Sequence, residues 1–200
     1  MGLATAVHAA EPRDETEPTP TREWSFTVTA YPTDVRGGDN YTSAIAAADR
    51  GPLHLEARYN YESVGARSAY VGWAFSGGET LTWQATPIVG GAWGTTQSVV
   101  AGVEASFAWR ALDAYIEGEY VPTRSHKDAY TYAWSELGLR AAEWLRIGIV
   151  GQRTRAYGAD RQFQRGPLVQ VTWGIVTIGA YWFNPGSSEQ VFVASLGAKF

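Results

Sequence analysis

The sequence predicts an all-β chain folded as one antiparallel up-and-down barrel. Three observations carry this reading. Apolar residues recur with period two, not 3.6, from Glu23 onward. The 200 residues include nine Trp, eleven Tyr, seven Phe and 22 Gly but only 18% charged residues. Turn signals of two kinds, tight and long, alternate along the chain.

Composition also excludes several classes. With Lys+Arg 16 against Asp+Glu 20 the net charge is −4, so there is no basic footprint and no nucleic-acid partner is expected. No cysteine is present, which removes disulfides, thiol catalysis and thiolate metal sites. His8, His54 and His126 lie far apart in sequence, so neither a His-based zinc site nor any cofactor is expected. The longest apolar run, Gly174 to Phe183, is about half of what a membrane helix needs.

At the N-terminus, Val7-His8-Ala9 fits the small-residue rule for signal-peptidase cleavage. Residues 1–9 are therefore expected to be a signal-peptide remnant. Residues 10–22 carry EPRDETEPTPTR, too polar and Pro-rich to bury surface, and are expected to be a disordered tail. The barrel is expected over 23–200.

Within it, Leu53, Leu55, Ala57, Tyr59 and Tyr61 fall on one face, against His54, Glu56, Arg58 and Asn60 on the other. Val99, Ala101, Val103, Ala105, Phe107 and Trp109 oppose Gly102, Glu104 and Ser106 in the same way. Leu112, Ala114, Ile116, Gly118 and Tyr120 oppose Asp113, Tyr115, Glu117 and Glu119. Leu145, Ile147 and Ile149 oppose Arg146, Gly148 and Gln152, and Val169, Val171 and Trp173 oppose Gln170 and Thr172. Tyr41 to Arg50, rich in alanine, has the weakest strand pattern. Pro87 sits inside a strand-like segment without an amide to donate, and predicts a bulge or a strand end there.

Tight turns are predicted at Asp49-Arg50-Gly51, Ser76 to Glu79, Arg110-Ala111, Ala142-Glu143 and Trp173-Gly174. Longer polar loops are predicted at 34–40, 62–66, 90–96, 122–128, 153–165 and 184–189. Twelve strands of about ten residues leave about five residues per connection, a usual loop length. Ten strands is the alternative.

Tight turns at one end and longer loops at the other suit a transmembrane β-barrel. So does the placing of aromatics on the apolar face. Trp24, Phe75, Trp83, Phe107, Trp109 and Trp173 lie toward the tight turns, and Tyr59, Tyr61, Tyr120 and Trp182 toward the long loops. Two such rings match the girdles at the two lipid interfaces.

The last strand, Gln190 to Phe200, places Phe192, Ala194, Leu196, Ala198 and the terminal Phe200 on one face. In this it resembles bacterial outer-membrane β-barrel proteins, whose last strand typically ends in an aromatic residue. The resemblance implies a bacterial outer-membrane location and contact with outer-membrane lipids. It also implies that Phe192, Leu196 and Phe200 are read as a signal by the barrel-assembly machinery.

In such a barrel the polar face lines the lumen. That assigns Glu56, Arg58, Gln84, Glu104, Asp113, Glu117, Glu119, Glu136, Arg140, Arg146, Gln152, Gln170 and Lys199 to the interior, with His54 beside them. The Arg110-Ala111 turn sets Glu104 opposite Glu117, with Glu136 expected at a similar height. Acids outnumber bases on this face. A narrow passive channel for small solutes, weakly cation-selective, is the function expected if the lumen is open. If Arg58 instead spans to Glu104 and Glu117, the cluster plugs the lumen and a structural or binding role is expected. A soluble barrel holding an apolar ligand is the third reading. No enzyme is expected: a lipid-acting hydrolase needs a Ser with a His base, Ser125-His126, with Asp128 nearby, is the only adjacent Ser/His pair, and adjacent loop residues rarely aim at each other.

Overall fold

The structure is a computed structural model and describes residues 23–122, 129–156 and 162–200. The segments read as a signal remnant (1–9) and a tail (10–22) lie outside the described residues. So do Ser125, His126 and Asp128.

Among the described residues there is no helix. The strands are β1 (Ser25–Val35), β2 (Tyr41–Arg50), β3 (Leu53–Tyr59), β4 (Arg67–Trp73), β5 (Phe75–Gly77), β6 (Thr82–Trp93) and β7 (Ser98–Trp109). They continue with β8 (Leu112–Val121), β9 (Tyr130–Ala142), β10 (Leu145–Ala156), β11 (Gln162–Trp173), β12 (Val176–Phe183) and β13 (Val191–Lys199). Neighbours in sequence pair antiparallel, except that β4 and β5 both pair with β6, and β1 closes on β13.

β4 and β5 are two pieces of one strand. Gly72 pairs with Ile88 and Phe75 with Ala85, both in the same register on β6. The result is a closed barrel of twelve strands. The interruption falls opposite Pro87, so the partner strand breaks where the missing amide would leave a gap in the ladder. Pro87 itself stays in an unbroken pairing with Val103, and β6 neither bulges nor ends there.

The tight turns are built as the twist of a hairpin requires. Arg110 takes a left-handed φ of 54° between β7 and β8, and Gly174 a φ of 58° between β11 and β12. Two of the loops predicted at the other end, 90–96 and 153–165, give up residues to strands. Gly90 to Trp93 and residues 153–156 and 162–165 remain in strands. The alanine-rich Tyr41–Arg50 segment is a strand paired on both sides.

The barrel is inside-out relative to a water-soluble one. Ile116 and Ile149 are 45% and 61% exposed, whereas Glu117 and Arg58 are each 3% exposed. An apolar belt this continuous, around a charged interior, is the face of a membrane-spanning barrel. Trp24, Phe75, Trp83, Phe107, Trp109 and Trp173 are exposed at the tight-turn end, and Tyr59, Tyr120 and Trp182 at the other. Tyr61 departs from the expected outward face. Asn60 adopts a left-handed φ of 54°, which breaks the alternation and turns Tyr61 into the lumen.

The interior also holds apolar side chains that a polar-face reading passes over. Tyr70, Ile88, Ala92, Val100 and Val121 pack on one wall. Val150, Leu168, Tyr181, Phe183 and Val193 pack on another, with Trp134 against them. These two clusters narrow the lumen.

Candidate functional site

The register sets Glu104 directly opposite Glu117. Like charges across a ladder are unfavourable without a counter-charge. Arg58 supplies it from β3, reaching past the three strands that separate β3 from β8. Its Nη1 donates to Glu117 at 3.0 Å and to Glu119 at 2.6 Å, and its Nε donates to Glu56. Its Nη2 lies 3.6 Å from Glu104. The guanidinium is sandwiched between the rings of Tyr61 and Tyr70, each centroid 4.5 Å away. Tyr61 and Tyr115 donate their hydroxyls to the far oxygen of Glu117 at 3.0 and 3.3 Å. The spanning contact that would make this cluster a plug is therefore formed.

A second cluster lies toward the tight turns. Arg146 donates to Asp113 at 2.8 Å, to Glu136 at 2.6 Å and to Gln170 at 2.9 Å. Arg140 donates to Asp113 at 3.2 Å. Gly138 leaves the space for this: a Cβ there would stand 2.8 Å from the Arg146 guanidinium carbon. Glu136 faces Tyr115 across the ladder, two residues below Glu117, and belongs with Arg146 instead of the Arg58 cluster. Trp134 donates its indole N–H to Glu136 at 3.0 Å.

The two clusters do not fill the barrel. A cavity of about 440 Å³ runs beside them, walled on one side by β1 and β2. There the inward positions are short or neutral (Thr27, Thr29, Thr33, Ser43, Ala47), with Asp49 the exception at the turn end of β2. Apart from tyrosines, its ionisable lining consists of Asp49, His54, Glu56, Glu104, Glu117 and Glu136; no described Lys or Arg lines it. A second cavity of about 260 Å³ opens at the loop end, around Glu62, Ser63 and Thr154. Tyr41, Asn60, Tyr61, Tyr132 and Gln152 line both, and so form the neck between them. Tyr61 and Tyr132 meet there edge to face at 5.8 Å.

The remaining sequence-assigned residues are placed as follows. Gln84 and Gln170 line the larger cavity, and Gln152 lines both. Lys199 is exposed at the tight-turn edge, opposite Thr27. Phe192, Leu196 and Phe200 are exposed on the outer face. Sequence reasoning passed over the β1 wall, although Thr27, Thr29, Tyr31 and Thr33 alternate in sequence as plainly as the charged faces do.

No protein-family model matches the chain, nor does any curated protein. Among solved structures it is similar to the KdgM porin in complex with disordered oligogalacturonate. The identity is 6%, covering 88% of this chain and 98% of that one, with a TM-score of 0.58. It also matches the Acinetobacter baumannii outer membrane protein Omp33 at 13% identity, 90% of this chain and 100% of that one, with a TM-score of 0.48. At such identity the likeness to the KdgM porin is one of fold, a closed porin-like barrel.

Proposed function

We propose that the chain is a narrow, non-enzymatic channel of the bacterial outer membrane that passes small solutes and prefers cations. The observation that carries this is the 440 Å³ lumen cavity whose ionisable lining, tyrosines apart, is five carboxylates and one histidine. A low-dielectric wall focuses the field of such groups into the lumen and raises the local cation concentration. The KdgM porin is described in complex with oligogalacturonate, a polyanion. An open side on which no described Lys or Arg lies does not suit a substrate of that kind. The outer belt supports contact with outer-membrane lipids, and the last strand supports recognition by the barrel-assembly machinery.

The second reading is a closed-lumen structural or binding barrel. It rests on the Arg58 span, which ties β3 to β8 across the interior. The cavity beside that span, walled by β1 and β2, favours the channel. Recording from purified protein in planar bilayers decides between them. Discrete small conductance steps are the expected result; a silent bilayer containing heat-modifiable, folded protein would leave the structural reading.

A further inference from the structure

We propose that His54, Glu56 and Glu104 form a binding site for a divalent transition-metal cation in the wall of the lumen. One ligand atom from each, the imidazole Nε2 and a carboxylate oxygen from each glutamate, lie within 4.8 Å of one another. The Nε2 atom is 3.8 Å from Glu56 Oε2 and 3.9 Å from Glu104 Oε2.

Three features point to a cation. First, His54 is only 8% exposed, and its Nε2 is buried with no hydrogen-bond partner while aimed between two carboxylates. A buried polar atom of that kind is costly unless something occupies its lone pair. Second, the other ring nitrogen, Nδ1, is 2.7 Å from Asp49 Oδ1. A carboxylate on the far nitrogen fixes the tautomer and ring direction, the arrangement that metal-binding histidines use. His54 and Asp49 pair across β2 and β3, so the tight turn at Gly51 holds this contact in place. Third, each glutamate divides its oxygens between two roles. Glu56 Oε1 accepts from Arg58 Nε, and Glu104 Oε1 faces Arg58 Nη2 at 3.6 Å. Both Oε2 atoms are left on the His54 side.

Charge leads the same way. Four glutamates, Glu56, Glu104, Glu117 and Glu119, surround the single Arg58 guanidinium. A divalent ion opposite Arg58 would offset most of the remaining negative charge. One imidazole with two carboxylates suits zinc, manganese or iron(II) over calcium or magnesium, which take oxygen alone. Three protein ligands leave a coordination position for water or a solute from the cavity that all three residues line.

The rival arrangement is a protonated His54 that bridges the two glutamates with no metal. The test uses the full chain refolded in detergent, stripped with chelator, and titrated with zinc chloride by calorimetry. The site predicts about one equivalent of zinc, not displaced by excess calcium. Asp49→Asn should weaken uptake by about 10–100-fold, the usual effect of losing such an outer carboxylate. His54→Gln should abolish it in protein whose heat-modifiable migration shows a folded barrel. Zinc uptake that survives His54→Gln, or a native barrel that takes up none, would overturn the site. Because the titration needs no membrane, a silent bilayer bears on the channel and not on this site.

Discussion

Arg58 on β3 and Glu119 on β8 are joined at 2.6 Å although three strands lie between them in the barrel wall. The contact ties opposite sides of one half of the lumen and leaves the cavity walled by β1 and β2 open beside it. Removing the cation while keeping bulk isolates its role. Arg58→Met leaves Glu56, Glu117 and Glu119 buried without it and should cost about 3–5 kcal/mol. Denaturant unfolding in lipid vesicles measures this. Adding Glu117→Gln and Glu119→Gln should recover part of the loss.

The face assignment has its own test. Arg in place of Ile116, which points into lipid near mid-height, should destabilise by about 2–4 kcal/mol. Arg in place of Gln152, which lines the cavities, should cost much less. Glu117, although inward, is not a fair control, because it holds Arg58. Equal costs at Ile116 and Gln152 would mean that the faces are misassigned.

Much of the framework is legible from residues alone, and the reason is geometric. A two-residue hairpin turn at Arg110-Ala111 leaves only one register, so Glu104 opposite Glu117 follows from numbering. Alternation then puts both inward. What is not legible is anything that crosses the lumen. Arg58 meets Glu119 because of barrel curvature and a long side chain, neither of which is written in strand order. His54, Glu56 and Glu104 converge for the same reason. Tyr61 was hidden by a single left-handed residue, Asn60, whose φ reverses the face. The inward apolar clusters were hidden because alternation labels Val and Leu as outward by default.

The neck between the cavities should limit flow. Tyr132→Ala removes the edge-to-face partner of Tyr61 and widens the junction. Single-channel conductance should rise without a change in the sign of selectivity. Unchanged conductance would place the narrowest point elsewhere.

Phe200 seals the seam of the barrel. Its amide and carbonyl exchange hydrogen bonds with Phe26 at 2.9 and 2.7 Å, and the two rings stack at 5.9 Å. Phe200→Asp should lower the folded yield in the outer membrane. Refolding of the same variant into vesicles separates causes. A yield lost only in cells points to the assembly machinery, and a yield lost in both points to the seam.

The central claim is a lumen whose open side, among the described residues, is lined by five carboxylates and one histidine but by no Lys or Arg. Reversal potential in a salt gradient tests it most directly, with chelator in both chambers so that no metal at His54 contributes. The native barrel should prefer cations, and the double substitution Glu104→Gln with Glu117→Gln should reduce that preference. Anion preference in the native protein, or selectivity indifferent to the double substitution, would contradict the account.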